Sequence, residues 1–143
     1  MTPEDRARRS AEAMWKNDKA SQWLGLQIVK VAEGSATLSL AVEPHHCNGH
    51  GICHGGFIFT LADSAFAFAC NSRNAVTVAQ HNTISFIAPG KLGDVLTATA
   101  REVSLRGRSG LYDVTVSNGK GETIAEFRGA SRALQGHLFA EED

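Results

Sequence analysis

The chain's 143 residues carry 14 Lys+Arg against 15 Asp+Glu, with 43% hydrophobic and 20% charged side chains. That size and balance fit a single domain over residues 1–143 with a sizeable core, and a net charge of −1 without a basic block gives nucleic acid no footing. The N-terminus lacks the apolar core of a secretory signal, no stretch is long enough to span a bilayer, and the 3 cysteines form no CxxC pair, so a reduced, cytoplasmic setting without a membrane partner is expected.

In chain order, Thr2 as cap, Pro3 at the first helical position and the early acids Glu4 and Asp5 predict an N-terminal helical segment within residues 1–24. Ala11, Met14 and Trp15 form its apolar stripe. Asn17-Asp18 divides it from a shorter turn, Lys19 to Leu24, that stops at Gly25. Two strands follow, Gly25 to Lys30 and Ser35 to Glu43, around the turn Ala32-Glu33-Gly34-Ser35. The second alternates Ala36, Leu38, Leu40 and Val42 against Thr37, Ser39 and Ala41, and Pro44 ends it.

After a loop rich in His, Cys and Gly, the segment from about Gly55 to Asn71 reads as a helix, because Ala62, Ala65, Ala67 and Ala69 favour helix over strand. It is apolar nearly all round, so it belongs in the core. Gly56, Thr60, Asp63, Ala67 and Asn71 fall along one side, a small and polar stripe suited to a cleft or a second subunit. The phenylalanines Phe57, Phe59, Phe66 and Phe68 cover the rest, core residues first, with one or two available to an aryl pocket. Four more strands are expected: Val76 to Ala88, Asp94 to Leu105, Ser109 to Ser117 and Glu122 to Leu134. Their short connections imply antiparallel pairing. Residues 135–143, ending in Glu-Glu-Asp, are expected to form a mobile tail. The resulting class is α+β, a curved antiparallel sheet of about six strands around one long helix, with a face left over for a dimer.

Between Pro44 and Gly90 the only formally charged side chains are Asp63 and Arg73. An unpaired acid in such surroundings costs several kcal/mol or takes up a proton, so on residues alone Asp63 is equally a structural acid with a hidden partner or a catalytic one. The N-terminus of the helix offers free N–H groups and a positive dipole end, a place to stabilise an oxyanion, and Gly55-Gly56 lets a substrate approach it closely. His54 precedes it and Asn48 lies in the loop leading in. His54 and Asp63 stand roughly 12 Å apart along the axis, too far to act on one atom, so the partner chain's copy of Asp63 is the simpler route to cooperation.

Two other chemistries compete. His46, Cys47, His50, Cys53 and His54 have the composition of a zinc site but match no standard finger spacing, so no metal is expected. Cys53 beside His54 has the composition of a thiol dyad, yet adjacent side chains diverge, and a small buried filler is the expected role. His45, His46 and His50 are expected in loop or interface positions. His81 is expected on a strand, facing the helix or a neighbouring chain.

The pattern Asn48, His54-Gly55-Gly56, Ala62-Asp63, together with Leu61 to Ser72, Thr83 to Asp94, Leu96 to Ala100, Leu111 to Val114 and Glu126 to Arg132, resembles the hotdog-fold acyl-CoA thioesterases. Within them it is most similar to the phenylacetate-degradation, PaaI-type thioesterases. The resemblance covers nearly the whole chain. It implies a homodimer assembling to a homotetramer, active sites at the dimer interface, and aryl-acyl-CoA substrates such as phenylacetyl-CoA or its ring-hydroxylated relatives. It implies that Gly55 N–H polarises the thioester carbonyl, that Asp63 of the facing subunit is general base or nucleophile, that Asn48 positions water or substrate, and that His54 orients the thioester. No cofactor is implied beyond the coenzyme A of the substrate.

One departure is plain. Close relatives often carry Arg where Ala88 precedes Pro89, which leaves the coenzyme A phosphates to Arg73, Lys91, Arg108 or Arg128, with Arg106 and Arg132 as further candidates. A medium- or long-chain acyl-CoA thioesterase, a hotdog hydroxyacyl-thioester dehydratase and a non-catalytic acyl-CoA binder are the rival readings.

Overall fold

The structure is a computed structural model that describes residues 1–142. Helix α1 (Pro3–Asn17) starts where Thr2 Oγ1 accepts a hydrogen bond from Asp5 N at 3.1 Å, with Glu4 and Asp5 complementing the dipole. Asp18 caps α2 (Lys19–Leu24) in the same way, accepting from Ser21 N. Gly25, at φ 87°, ends α2 in the left-handed conformation. That reversal is why β1 begins at Gln27 and not at Gly25.

Strands β1 (Gln27–Ala32), β2 (Ser35–Ala41), β3 (Thr77–Phe86), β4 (Val95–Arg106), β5 (Ser109–Ser117) and β6 (Thr123–Ala133) form one antiparallel sheet ordered β1-β2-β4-β5-β6-β3. β2 stops at Ala41 because Val42 N turns to Asp94 O at 2.8 Å, clamping the β2 exit to the start of β4. The sheet curls around α3 (Gly55–Cys70), the hotdog arrangement implied by the resemblance. Every other residue faces the helix: Leu38 and Leu40, Leu96 and Ala98, Val114 and Val116 are buried against Leu61, Ala65, Phe66 and Ala69. Gly129 of β6 makes room for the Phe66 ring, since a Cβ there would stand 2.8 Å from it.

The side of α3 expected to stay small and polar is accessible over its first three turns, while Asn71 at its end is buried and bonded to Thr77. Gly56 is exposed, and Thr60, Asp63 and Ala67 are half-buried. Beside it, β3 is an edge strand, with Val78, Phe86 and the following Ile87 exposed. His81 points outward from β3 and not toward the helix; Asn82, in register with Gly129, takes the inward position.

Of the segment 135–143 expected to be mobile, residues 136–141 are tied down, and residue 143 lies outside the described residues. Asn74, in the left-handed region at φ 62°, accepts from Leu138 N and Phe139 N through Oδ1 and donates through Nδ2 to Phe139 O and Glu141. Arg6 pairs with Glu141 at 2.9 Å, and the Arg9 guanidinium lies 4.3 Å over the Phe139 ring. Side chains 65 residues apart in sequence give no periodic signal, so the docking is invisible from the sequence. No helix among the described residues is long and apolar enough to cross a membrane.

Candidate active site

The loop before α3 is built on Asn48. Its Oδ1 accepts from His50 N at 2.9 Å and Ile52 N at 3.4 Å, while Asn48 N donates to Ile52 O. With the acceptor committed to the loop, the side-chain NH2 is left to donate outward. Gly51, at φ 78°, makes the turn, and bridges Cys47↔Cys53 and Ile52↔Lys91 bring the chain back to the helix.

His54 is the N-cap of α3: its Nδ1 accepts from Gly56 N at 2.9 Å. An accepting Nδ1 in the neutral ring leaves Nε2 as the donor. A Cβ on Gly56 would stand 3.0 Å from that Nδ1, so a larger residue would press against the cap. Gly55 N–H receives no internal partner among the described residues and points, with the dipole, at the helix mouth. A Cβ on Gly55 would meet the Phe86 ring at 3.1 Å.

This mouth opens into a cavity of about 460 Å³ walled by Asn48, Gly55, Ile58, Phe86, Ala88 and Gly90. The site therefore brings Asn48 and Gly55 together, with His54 beside them. Asp63 does not line it. Eight residues further along α3, Asp63 is about 12 Å away on the axis, on the accessible stripe. There it accepts a hydrogen bond from Asn82 Nδ2 at 3.0 Å. Burial pushes its carboxyl above the ordinary value; the Asn82 bond pulls it back, and the Asp18 charge pushes it further up.

Asn82 has a sequence signal only in hindsight of register, as the polar member of the inward series Asn82, Ile84, Phe86. Phe86 in the cavity wall likewise carries no signal in the sequence beyond its place in a strand. A second network behind the stripe was not anticipated either: Asp18 Oδ2 accepts from Ser21 Oγ at 2.7 Å, and Ser21 Oγ meets Ser64 Oγ at 2.8 Å.

Glu43, His45 and His46 come close enough to share an ion, but His46 Nδ1 accepts from Glu43 N and its Nε2 donates to Leu24 O, both at 2.9 Å, which leaves no lone pair for a metal. Burial pushes the Cys53 thiol from 9.0 to about 11, so little thiolate exists at neutral pH.

The expected phosphate-binding residues separate in space. Lys91 stands next to the cavity, across Ala88 and Pro89, in a shallow depression it shares with Lys120, a residue the sequence reading did not name. Arg73 is held by Glu33 at 3.0 Å and Glu102 at 2.6 Å beyond the opposite end of α3, where Arg108 also lies. Arg128 is paired with Asp113 at 2.6 Å on the outer face. Their guanidiniums already have carboxylate partners, so within one chain Arg73 and Arg128 are poorly placed for phosphate.

The sequence and the fold both have known relatives. The profile of the thioesterase superfamily matches residues 50–125. The acyl-coenzyme A thioesterase PaaI of Escherichia coli is 42% identical over 136 residues, covering 95% of this chain and 97% of the relative. The solved structure of the E. coli PaaI protein superposes with a TM-score of 0.93 at 41% identity, covering 95% of this chain and 99% of that one. A Streptococcus mutans protein solved with acetyl-CoA bound superposes at a TM-score of 0.76 and 26% identity, covering 79% and 91%. The chain belongs to the thioesterase superfamily, among its PaaI-type, hotdog-fold members.

Proposed function

We propose that the protein is a cytoplasmic acyl-CoA thioesterase acting on aryl-acyl-CoA, with phenylacetyl-CoA or its ring-hydroxylated relatives as preferred substrates, and that each active site is shared between two chains. The observation that carries this reading is the unpartnered Gly55 N–H opening on an apolar cavity beside Asn48, with the acid of the same helix about 12 Å away. Gly55 N–H polarises the carbonyl as its oxygen gains charge. Asp63 of the facing chain takes a proton from water, whose oxygen adds to the carbonyl carbon. The C–S bond then breaks with its electron pair on sulfur, and the thiolate recovers the proton.

Asn48 Nδ2–H and His54 Nε2–H are donors suited to holding the thioester and water at the mouth. Phe86 and Ile58 in the cavity wall suit a flat aryl group. Lys91 and Lys120 line a depression that shares Ala88 and Pro89 with the cavity, beside Asp94 and Glu122, and are assigned to coenzyme A phosphate. A thioester is activated enough for this set to work with neither metal nor thiolate. The open β3 edge and the exposed stripe of α3 are assigned to the dimer, and dimers pair into a tetramer.

The test is Asp63→Asn, assayed as coenzyme A release with a thiol reagent over aryl- and alkyl-CoA substrates. Turnover should fall about 100-fold or more. Near-wild-type turnover would remove Asp63 from the mechanism, and a flat profile across the panel would remove the aryl preference.

A further inference from the structure

We propose that Asn82 is a positioning residue for the thioester reaction, holding the Asp63 carboxylate by one oxygen so that the other is presented to the reacting water. The inference rests on the reading of Asp63 as general base. It names a residue of β3 that makes no contact with the Gly55 cavity.

The geometry begins at the bulge between Ala79 and His81, after which β3 and β6 are in register with Asn82 opposite Gly129. Residues directly opposite in an antiparallel pair share a face, and Gly129 looks onto the Phe66 ring of α3, so Asn82 also faces α3. Its Nδ2 reaches Asp63 Oδ1 at 3.0 Å. Asp63 Oδ2 accepts no hydrogen bond among the described residues, so it is free for a water proton. One oxygen anchored and one free is the arrangement a general base requires.

A second observation concerns the other half of the same amide. Asn82 Oδ1 is buried without a partner. Such an orphan is disfavoured, and the amide keeps this orientation because the donor turned to Asp63 binds a charged acceptor. Turned over, Oδ1 would face Asp63 and be acceptable only to a protonated carboxyl. The amide therefore favours the ionised acid.

The surroundings otherwise oppose ionisation. Burial is the main cause, Asp18 at the start of α2 adds like charge, and Cys70 on the last turn of α3 is itself pushed up to about 12. β3 brings no compensating charge, since His81 lies on its outer face and Asn82 is neutral. Asn82 is the single side chain in contact with Asp63 that works the other way.

The experiment is the pH profile of kcat/KM for the wild type, Asn82→Ala, Asn82→Asp and Asp63→Asn, with the Asp63 carboxyl followed by carbon-13 NMR. Removing the donor should move the acid limb upward by about one pH unit, so activity falls about tenfold below the limb and returns at high pH with little change in KM. Asn82→Asp should move it further, because two neighbouring carboxylates share a proton. Shifts of the kinetic limb and of the NMR titration in that order support the proposal. An unmoved limb, or a loss equal at every pH, overturns it while Asp63→Asn remains inactive. If Asp63→Asn stays active, the general-base reading falls instead, and an unmoved NMR titration in Asn82→Ala separately overturns the Asn82 contact.

Discussion

At Asp63, folding and chemistry pull in opposite directions. Burial raises its carboxyl above the ordinary 3.8 and so favours the protonated form in the folded state. The unfolded chain then releases its proton first as pH rises, and stability declines from 3.8 up to the folded value and stays lower above it. Asp63→Asn removes that cost and keeps an oxygen for Asn82 Nδ2. The variant expected to lose turnover should therefore melt a few degrees higher at pH 7, and calorimetry should find the gain shrinking as pH falls toward 3.8. An equal or lower melting temperature at neutral pH would mean that Asp63 is satisfied by more than Asn82. Gly55 is constrained from both sides: the proposed role needs its N–H open to the cavity, and Phe86 fills the space a side chain would need.

Among the elements, α3 is the most legible in the sequence. Its alanines and uninterrupted apolar run specify a core helix, and its period places Gly56, Thr60, Asp63 and Ala67 on the accessible side. The strands are legible because Gly- and Asn-rich turns punctuate them. Contacts set by register are not legible: Asn82 reaches Asp63 only after the bulge in β3, and no local pattern encodes a shift between Ala79 and His81. The C-terminal segment is hidden for a related reason. Most of its hydrogen bonds converge on Asn74, whose backbone sits at φ 62° and whose amide serves three chain positions. Asn74→Ala loses those bonds and places alanine in the left-handed region, for a cost of about 2 to 4 kcal/mol. Denaturant unfolding should show that loss, and limited proteolysis should then cut within residues 134–142 while β6 stays protected. A tail as resistant as in the wild type would show that Arg6 and Arg9 suffice to hold it.

For the whole molecule, the separation of Gly55 and Asp63 makes a genetic experiment decisive. Gly55→Val drives a branched side chain into the Phe86 ring and disturbs the proposed oxyanion donor, while Asp63→Asn removes the proposed base. Each variant alone should be inactive. Co-expressed in equal amounts, about half of the dimers should be mixed, each with one intact site and one doubly damaged, so activity should recover to about a quarter of the wild type. Absence of recovery, with mixed dimers verified by native mass spectrometry, would mean that one chain supplies both groups.

With each active site divided between two chains as proposed, the roughly 12 Å between the helix mouth and the acid would also make concentration a variable of catalysis. A site divided between chains exists only as far as mass action keeps the chains together, so extreme dilution abolishes sites before it unfolds subunits. A ligand that bridges the two halves draws the equilibrium back toward the assembled state. In such a protein, substrate is also a ligand of the quaternary structure, and scarcity of both enzyme and thioester switches hydrolysis off.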